Sequence, residues 1–473
     1  MPTYPLFLSS PSLQSPFAKL VRTLRSMPRV RRLVATRSVL SQPLLHHCVA
    51  RGFELVQWHA LVCGMAGAIH ESPPEFAKIK TELESMKKTL LTLTLTGAFA
   101  ACAHAQSSVT LYGLIDTGLT YTNNQGGHSA WQMATSSTQN TVFGLKGSED
   151  LGGGLHANFK LEQGFNLNNG TQAFPGDGFG SQAWVGLQSD PYGSLTFGRQ
   201  FDVVNDLLGP LSAEANTWGG NMAAHPFEND NLAANSVVIN NAVKYTSPTF
   251  YGATFEGMYA FSNKAGAFAD NRAYGFALSW AQGPVNLAAG YLQFNNAGGG
   301  VTGTTPNGAI SQGDGSANFV AQRQRIWGAG GNYTFGPATV GLVWSHTQID
   351  NMAGVFSFGT GGYLPLAGTL RLDNYEVNAK YAITPAWSVS GAYTYTDGAY
   401  GSGTTVAYPA WHSVMLQTDY SLSKRTDVYL ESVYQHVRGA PAGTVLSEAM
   451  INTLSPSSTG TQVAVTVGLR HAF

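Results

Sequence analysis

Cysteine is missing from most of this chain of 473 residues. Cys48, Cys63 and Cys102 all precede residue 106, and the remainder of the sequence contains none. A long segment without cysteine is typical of proteins that function in an oxidising compartment, where stray thiols are a hazard.

Charge is scarce as well. Asp, Glu, Lys and Arg make up only 11% of the residues, against roughly 25% in an ordinary soluble protein. Outside the segment near residue 90, no run of about 18 or more apolar residues occurs, which argues against a bundle of membrane helices. Aromatic residues reach 11%, which argues against disorder.

Residues 86–105 have the pattern of a secretory signal peptide. Met86 is followed by two lysines, an apolar stretch and small residues spaced A-x-A before Gln106. Because such signals act from the N-terminus, we expect translation to start at Met86 and residues 1–85 to be an over-extended start that does not fold. A genuine domain or an organelle transit peptide in this arginine-rich, acid-poor part is the alternative.

From Val109 onwards, apolar and polar residues alternate with period two, a pattern typical of strands with two different faces. In the first segment, Val109 and Leu111 share one face while Asp116 and Thr120 share the other. Sixteen such segments are predicted: 109–121, 140–148, 155–165, 181–188, 193–200, 240–247, 254–261, 271–282, 285–292, 325–335, 338–347, 373–382, 387–397, 411–422, 426–437 and 462–473.

The connections between these segments alternate between tight turns and long polar stretches such as 294–324, 347–372 and 438–461. Alternation alone does not distinguish a soluble sandwich from a membrane barrel. An even number of ten-residue strands, Tyr and Trp near the strand ends, and the need to pair all backbone groups in lipid favour the barrel. We therefore predict an all-β fold, a 16-stranded antiparallel transmembrane β-barrel formed by residues 106–473.

The third long connection, residues 201–239, contains an apolar stretch from Val203 to Leu211 that needs a packing partner. Folded into the lumen, this loop would form a constriction and present Asp206 or Glu214 to the wall, where fixed charge governs which ions pass.

Strand parity also predicts which charged side chains line the lumen. Six acids and four bases imply a wet channel, because sixteen strands enclose more space than side chains fill. These residues are Asp116, Lys146, Lys160, Glu162, Lys244, Glu256, Glu376, Lys380, Asp419 and Glu431.

Several strings of residues resemble the trimeric general porins of Gram-negative outer membranes, in their β-proteobacterial branch. They are SSVTLYGLIDTGL (107–119), FGLKGSEDLGGGL (143–155), QAWVGL (182–187), LTFGRQFD (195–202), NNAVKYTSP (240–248) and VGLRHAF (467–473). The resemblance covers about 106–473 and implies an outer-membrane homotrimer, a third loop folded into the lumen, and passive diffusion of small hydrophilic solutes. Phe473 resembles the signature recognised by the outer-membrane assembly machinery. The other expected partners are outer-membrane lipid and lipopolysaccharide, with no nucleic acid.

The sequence departs from this family on the wall opposite the third loop. The family usually places arginines there, at positions that are Val142, Ser181 and Val238 in this chain. Lys146 and Lys160 are the nearest basic candidates for the constriction. Arg199 shares parity with Leu195 and Phe197 and is expected to face outward, towards a neighbouring subunit. With an interior count of six acids to four bases, we predict a weak cation preference.

Other functions have less support. An enzyme would need a nucleophile and a base, but the sequence contains no G-x-S-x-G, G-x-x-x-x-G-K, H-E-x-x-H or C-x-x-C motif. The histidines after residue 105 show no ligand spacing, and residues 228–231 form only a weak calcium candidate. No cofactor, metal or catalytic residue is predicted. A substrate-specific channel and a barrel with an adhesive or structural role are the alternatives.

Overall fold

In the computed structural model, the described residues are 108–216, 218–233, 237–300 and 305–473. The signal peptide predicted at 86–105 and the over-extended start predicted at 1–85 lie outside them. The strands are β1 (Ser108–Gln125), β2 (His128–Thr135), β3 (Val142–Gly152), β4 (Leu155–Gly164), β5 (Gln182–Ser189), β6 (Gly193–Gln200), β7 (Ile239–Thr246), β8 (Ala253–Ala260), β9 (Arg272–Gln282), β10 (Val285–Ala297), β11 (Phe319–Phe335), β12 (Ala338–Ser357), β13 (Gly362–Ala382), β14 (Trp387–Ser402), β15 (Thr405–Ala407), β16 (Ala410–Ser421), β17 (Thr426–Arg438) and β18 (Thr461–Ala472).

These strands form one closed antiparallel sheet, in which β1 pairs with β18 from Leu114↔Ala472 to Thr122↔Ala464. On its other edge, β1 pairs with β3 through its first half and with β2 through its second half. In the same way, β14 pairs with both β15 and β16. The strands β2 and β3 therefore share one position in the wall, and so do β15 and β16. The eighteen strands form a barrel of sixteen positions, the number predicted from the sequence.

The helices that the structure describes are short. They are α1 (Val203–Leu207) and the 3₁₀ turns Gly209–Leu211, Gly220–Ala223, Pro226–Glu228 and Val445–Ser447. In the described ranges, none is long and apolar enough to cross a membrane.

Residues 347–372 are not the loop that the sequence predicts. They extend β12 and β13 well beyond the predicted ends, and only a short turn remains between Ser357 and Gly362. The register of the two strands shifts between Ile349 and Gly354, where Asn351 has a positive φ of 52°. Such bulges shift the alternation, which hides the strands from a period-two pattern.

The two faces of the sheet have opposite composition, as strand parity predicts. Leu111 on β1 is 60% exposed and Val467 on β18 is also 60% exposed, while Thr120 and Thr466 on the other face are fully buried. An exposed apolar face and a covered polar face are the reverse of a soluble sandwich and are typical of a barrel in lipid. Exposed aromatic residues extend this outer face, among them Tyr333, Trp344, Tyr375, Trp387 and Tyr393. The opposite face is called the inner face below.

The end of the chain contributes to closure. Phe473 and Gly113 on β1 exchange two backbone hydrogen bonds, of 3.0 and 3.1 Å. The phenylalanine ring lies where a side chain at residue 113 would stand, so glycine is needed there.

Candidate functional site

The third loop, residues 201–238 between β6 and β7, begins with α1. Asp202 caps this helix, because its Oδ1 accepts hydrogen bonds from the backbone N–H groups of Val204 (2.7 Å) and Asn205 (3.0 Å). Burial raises the pKa of Asp202 to about 7. Most of the described loop is buried, so the loop is packed against the rest of the chain.

Small residues on the inner face of the wall make room for α1. A Cβ added to Gly290 on β10 would lie 3.0 Å from Val204 Cγ2, and one added to Gly328 on β11 would overlap Leu208. Both Val204 and Leu208 are 0% exposed. They belong to an apolar cluster that joins the loop to the wall, with Val203, Leu232, Ala277, Ala288, Leu292, Ile326 and Val343 among its members.

Polar contacts attach the second half of the loop to other parts of the inner face. The backbone N–H of Gly219 donates to Gln417 Oε1 on β16 (2.7 Å). The carbonyl of Asn229 accepts from Gln324 Nε2 on β11 (2.8 Å) and from Thr347 Oγ1 on β12 (3.1 Å). The loop therefore contacts strands that are far apart around the barrel.

The two lysines predicted for the constriction lie together on the inner face. Lys146 and Lys160 are direct cross-strand partners on β3 and β4. Their ammonium groups lie 5.2 and 5.6 Å from the centre of the Tyr112 ring, close enough for cation–π attraction. Lys160 also forms an ion pair of 3.1 Å with Glu162, to which the Tyr112 hydroxyl donates at 2.7 Å. Lys146 is exposed, so this cluster carries accessible positive charge.

Asp206 of α1 is paired with the wall. Its carboxylate forms an ion pair with Lys244 on β7, and Lys244 Nζ also donates to the carbonyl of Phe201 (3.0 Å). The Asp206 side chain is 30% exposed against 11% for Lys244. Asp206 is therefore partly exposed to water, but the adjacent Lys244 ammonium group neutralises much of its negative charge.

Glu214 does not lie where the sequence predicts. It is fully buried, together with Glu376 of β13, which was expected to line the lumen. Both carboxylates lie 3.1 Å from ring nitrogens of the buried His225. Burial raises the pKa of Glu214 well above its usual value. Burial lowers the pKa of His225, but Glu214 and Asp230 outweigh it and raise that pKa well above its usual value.

Two other acids predicted to line the lumen, Asp116 and Glu431, are fully buried. Asp116 Oδ2 accepts from the backbone N–H and the hydroxyl of Thr138, at 2.8 and 2.9 Å, and Oδ1 accepts from the Tyr429 hydroxyl at 2.7 Å. Asp116 therefore holds the segment between β2 and β3 in place. The side chains of Asp116 and Glu431 are covered by other parts of the chain, so parity alone does not show which charges are exposed.

The remaining predicted lumen residues are partly covered. Glu256 is 6% exposed and accepts from Thr246 Oγ1 (2.8 Å). Asp419 is paired with Arg470, which also donates to Asp427 through Nε (2.8 Å). Lys380 is of intermediate exposure.

Arg199 is buried rather than exposed on the outer face. Its guanidinium forms ion pairs with Asp314 (2.9 Å) and Asp177 (3.6 Å) and donates to the Gly180 carbonyl (2.6 Å). These partners lie in the connections that follow β4 and β10. The shift in register after Gly198, next to Arg199, is the bulge that parity from Leu195 did not anticipate.

A cavity of about 1010 Å³ opens among the long connections. It is lined by β2, by residues 164–176, by Gln312–Gly315 and by the turn between β12 and β13, and most of its lining side chains are uncharged. It is large enough for many water molecules and for small hydrophilic solutes.

A closed barrel of sixteen positions with an apolar outer face, a polar inner face and a long connection packed on that inner face has the architecture of an outer-membrane channel. The protein-family model described as Gram-negative porin matches residues 92–440, and the chain belongs to this family. The protein is therefore located in the outer membrane.

Individual relatives agree with this assignment. An outer membrane porin protein of Bordetella pertussis is 31% identical over 82% of this chain and 100% of its own length. Outer membrane porin protein 32 of Delftia acidovorans is 28% identical over the same shares. Among solved structures, the anion-selective porin from Comamonas acidovorans superposes with a TM-score of 0.59 at 23% identity, covering 78% of this chain and all of that one.

Proposed function

We propose that this porin forms a passive, water-filled channel for small hydrophilic solutes and ions, with the third loop folded into the lumen as its constriction. The observation that carries the proposal is the packing of the loop. Its apolar residues meet glycine and alanine on the inner face, and the outer face presents leucine, valine and aromatic side chains to lipid. No cofactor or chemical step is part of this function.

The charged side chains that are exposed to permeating ions in this channel differ from those counted in the sequence. The predicted cation preference rests on counting six acids, but Asp116, Glu162, Glu256, Glu376 and Glu431 are at most 6% exposed. Fixed charge acts on permeating ions chiefly where water and ions approach it. Because Lys146 is exposed and Lys160 is about a quarter exposed, we propose a weak anion preference in place of the cation preference.

We further propose that the channel is a homotrimer that contacts lipid and lipopolysaccharide through its outer face. Membership of the porin family supports the trimer. The apolar outer face, ended by aromatic residues, supports the lipid contact.

Single-channel recording tests the proposed function. The whole protein, purified from outer membranes and added to planar bilayers in KCl, should give conductance steps in groups of three. In a KCl gradient, the reversal potential should show a slight preference for Cl⁻. Folded trimers that insert without conducting would refute the channel and favour an adhesive or structural barrel.

Deletion of Phe473 should strongly reduce the amount of trimer in the outer membrane, because the deletion removes both the terminal aromatic ring and the two backbone hydrogen bonds to Gly113. This prediction is checked by quantifying heat-resistant trimer in outer-membrane fractions. The control is Leu469→Ala on the outer face of β18, where Leu469 is 40% exposed. Loss of this apolar side chain from the same strand should leave the amount of trimer unchanged. Equal trimer levels for the deletion and the control would show that Phe473 is not an assembly signal.

A further inference from the structure

Four ionisable side chains form one buried cluster where the third loop packs against β13. Glu214, His225 and Asp230 belong to the loop and Glu376 belongs to β13. His225 Nδ1 lies 2.7 Å from Asp230 Oδ2 and 3.1 Å from Glu214 Oε1, and His225 Nε2 lies 3.1 Å from Glu376 Oε2. None of the four is more than 3% exposed.

Neighbouring backbone and side-chain groups donate to most carboxylate oxygens of the cluster, but two of these oxygens are left without a hydrogen bond. His225 Nδ1 carries at most one hydrogen, yet carboxylate oxygens of Asp230 and Glu214 both point at it. Glu214 Oε1 and Asp230 Oδ1 are buried without a hydrogen-bond partner. Buried carboxylate oxygens without partners are costly. A cation placed between these side chains would give those oxygens a partner.

We propose that Glu214, His225 and Asp230 bind one divalent transition-metal ion of the zinc type. One imidazole nitrogen with carboxylate oxygens is a donor set that such ions accept, and all three residues offer ligand atoms within 4.8 Å of one another. Ligand atoms around zinc, bound at about 2.0–2.2 Å, are separated by roughly 3.5 Å. The distances to His225 Nδ1 therefore need only small adjustments.

Glu376 acts as a positioning residue in this site. When His225 binds the metal through Nδ1, its Nε2 carries the hydrogen and donates to Glu376, an arrangement typical of metal-bound histidines. Glu376 Oε1 is in turn held by the backbone N–H of Ala213 (2.8 Å). Metal binding would consequently tie three points of the third loop to each other and to β13.

Metal analysis of the whole protein tests the proposal. Trimers are purified without a histidine tag, stripped with EDTA, dialysed against Zn²⁺ and assayed for metal by mass spectrometry. We expect about one zinc ion per chain in the wild type and in His128→Gln, whose histidine is exposed on β2. Glu214→Gln and His225→Gln should retain none. Glu376→Gln should bind roughly 10- to 100-fold more weakly.

Zinc should also raise the temperature at which the wild-type trimer dissociates, because an ion that binds only the folded loop stabilises it. This shift should disappear in Glu214→Gln and persist in His128→Gln. Failure of the wild type to retain zinc, equal retention by wild type and His225→Gln, or equal affinity for Ca²⁺ and Zn²⁺ would each overturn the proposal. The first of these outcomes depends on no variant, so the proposal stays testable even if a substitution prevents folding.

Discussion

Replacing Leu208 with aspartate should increase both the conductance and the current noise of the open channel. The Leu208 side chain is 0% exposed and fits against Gly328 in the cluster that joins α1 to the wall. Truncating a buried leucine to alanine costs about 2–5 kcal/mol, which lowers the ratio of docked to undocked loop by a factor of roughly 30 or more. Aspartate adds the cost of burying a charge. Single-channel traces of the wild type, Leu208→Ala and Leu208→Asp should show graded increases.

The control for this series is Leu342→Ala on β12. Leu342 is 64% exposed on the outer face, so its truncation removes the same atoms without touching the loop. Gly328→Val disrupts the same contact from the side of the wall, because the valine side chain would occupy the space that Leu208 fills. We expect Gly328→Val to resemble Leu208→Ala and Leu342→Ala to resemble the wild type. A Leu208→Asp channel with wild-type conductance and noise would show that the loop does not form the constriction.

The barrel could be predicted from the sequence because strand periodicity is local. On β13, for example, Tyr375 and Val377 are exposed while Glu376 and Asn378 are buried, and this order is visible in four consecutive residues. What periodicity could not show was where it is interrupted. The bulges near Asn351 shift the alternation by one residue, so about half of β12 and of β13 was not predicted. The bulge after Gly198 shifts it in the same way, so the buried position of Arg199 was not predicted.

The state of the interior charges could not be predicted in the same way. Parity assigns Asp116, Glu376 and Glu431 to the inner face, but their burial depends on segments distant in the sequence that cover them. The His225 cluster illustrates this limit. Its side chains come from positions 214, 225, 230 and 376, so no short spacing indicates them. The one local signal was the carboxylate-rich stretch at 228–231, which includes Asp230.

Exchanging Lys146 and Lys160 for glutamate should convert the proposed weak anion preference of the channel into a cation preference. The two side chains are cross-strand neighbours beside Tyr112, so the double substitution changes the local charge by four units at one place on the wall. At about 8 Å from a permeating ion, each unit is worth about 0.5 kcal/mol in water before screening. We therefore expect the permeability ratio of K⁺ to Cl⁻, obtained from reversal potentials in a KCl gradient, to rise by about tenfold or more.

Neutral variants separate the effect of charge from the effect of lost contacts. Lys146→Gln should shift the reversal potential without disturbing the ion pair between Lys160 and Glu162. Lys424→Gln lies in the exposed turn between β16 and β17 and should leave selectivity unchanged. Because salt screens charge over about 10 Å at 0.1 M and about 3 Å at 1 M, the difference between wild type and Lys146→Gln should shrink as the KCl concentration rises. A shift that is independent of salt would instead indicate a change in the shape of the channel, and no shift in the double glutamate variant would place the ion path away from this pair of lysines.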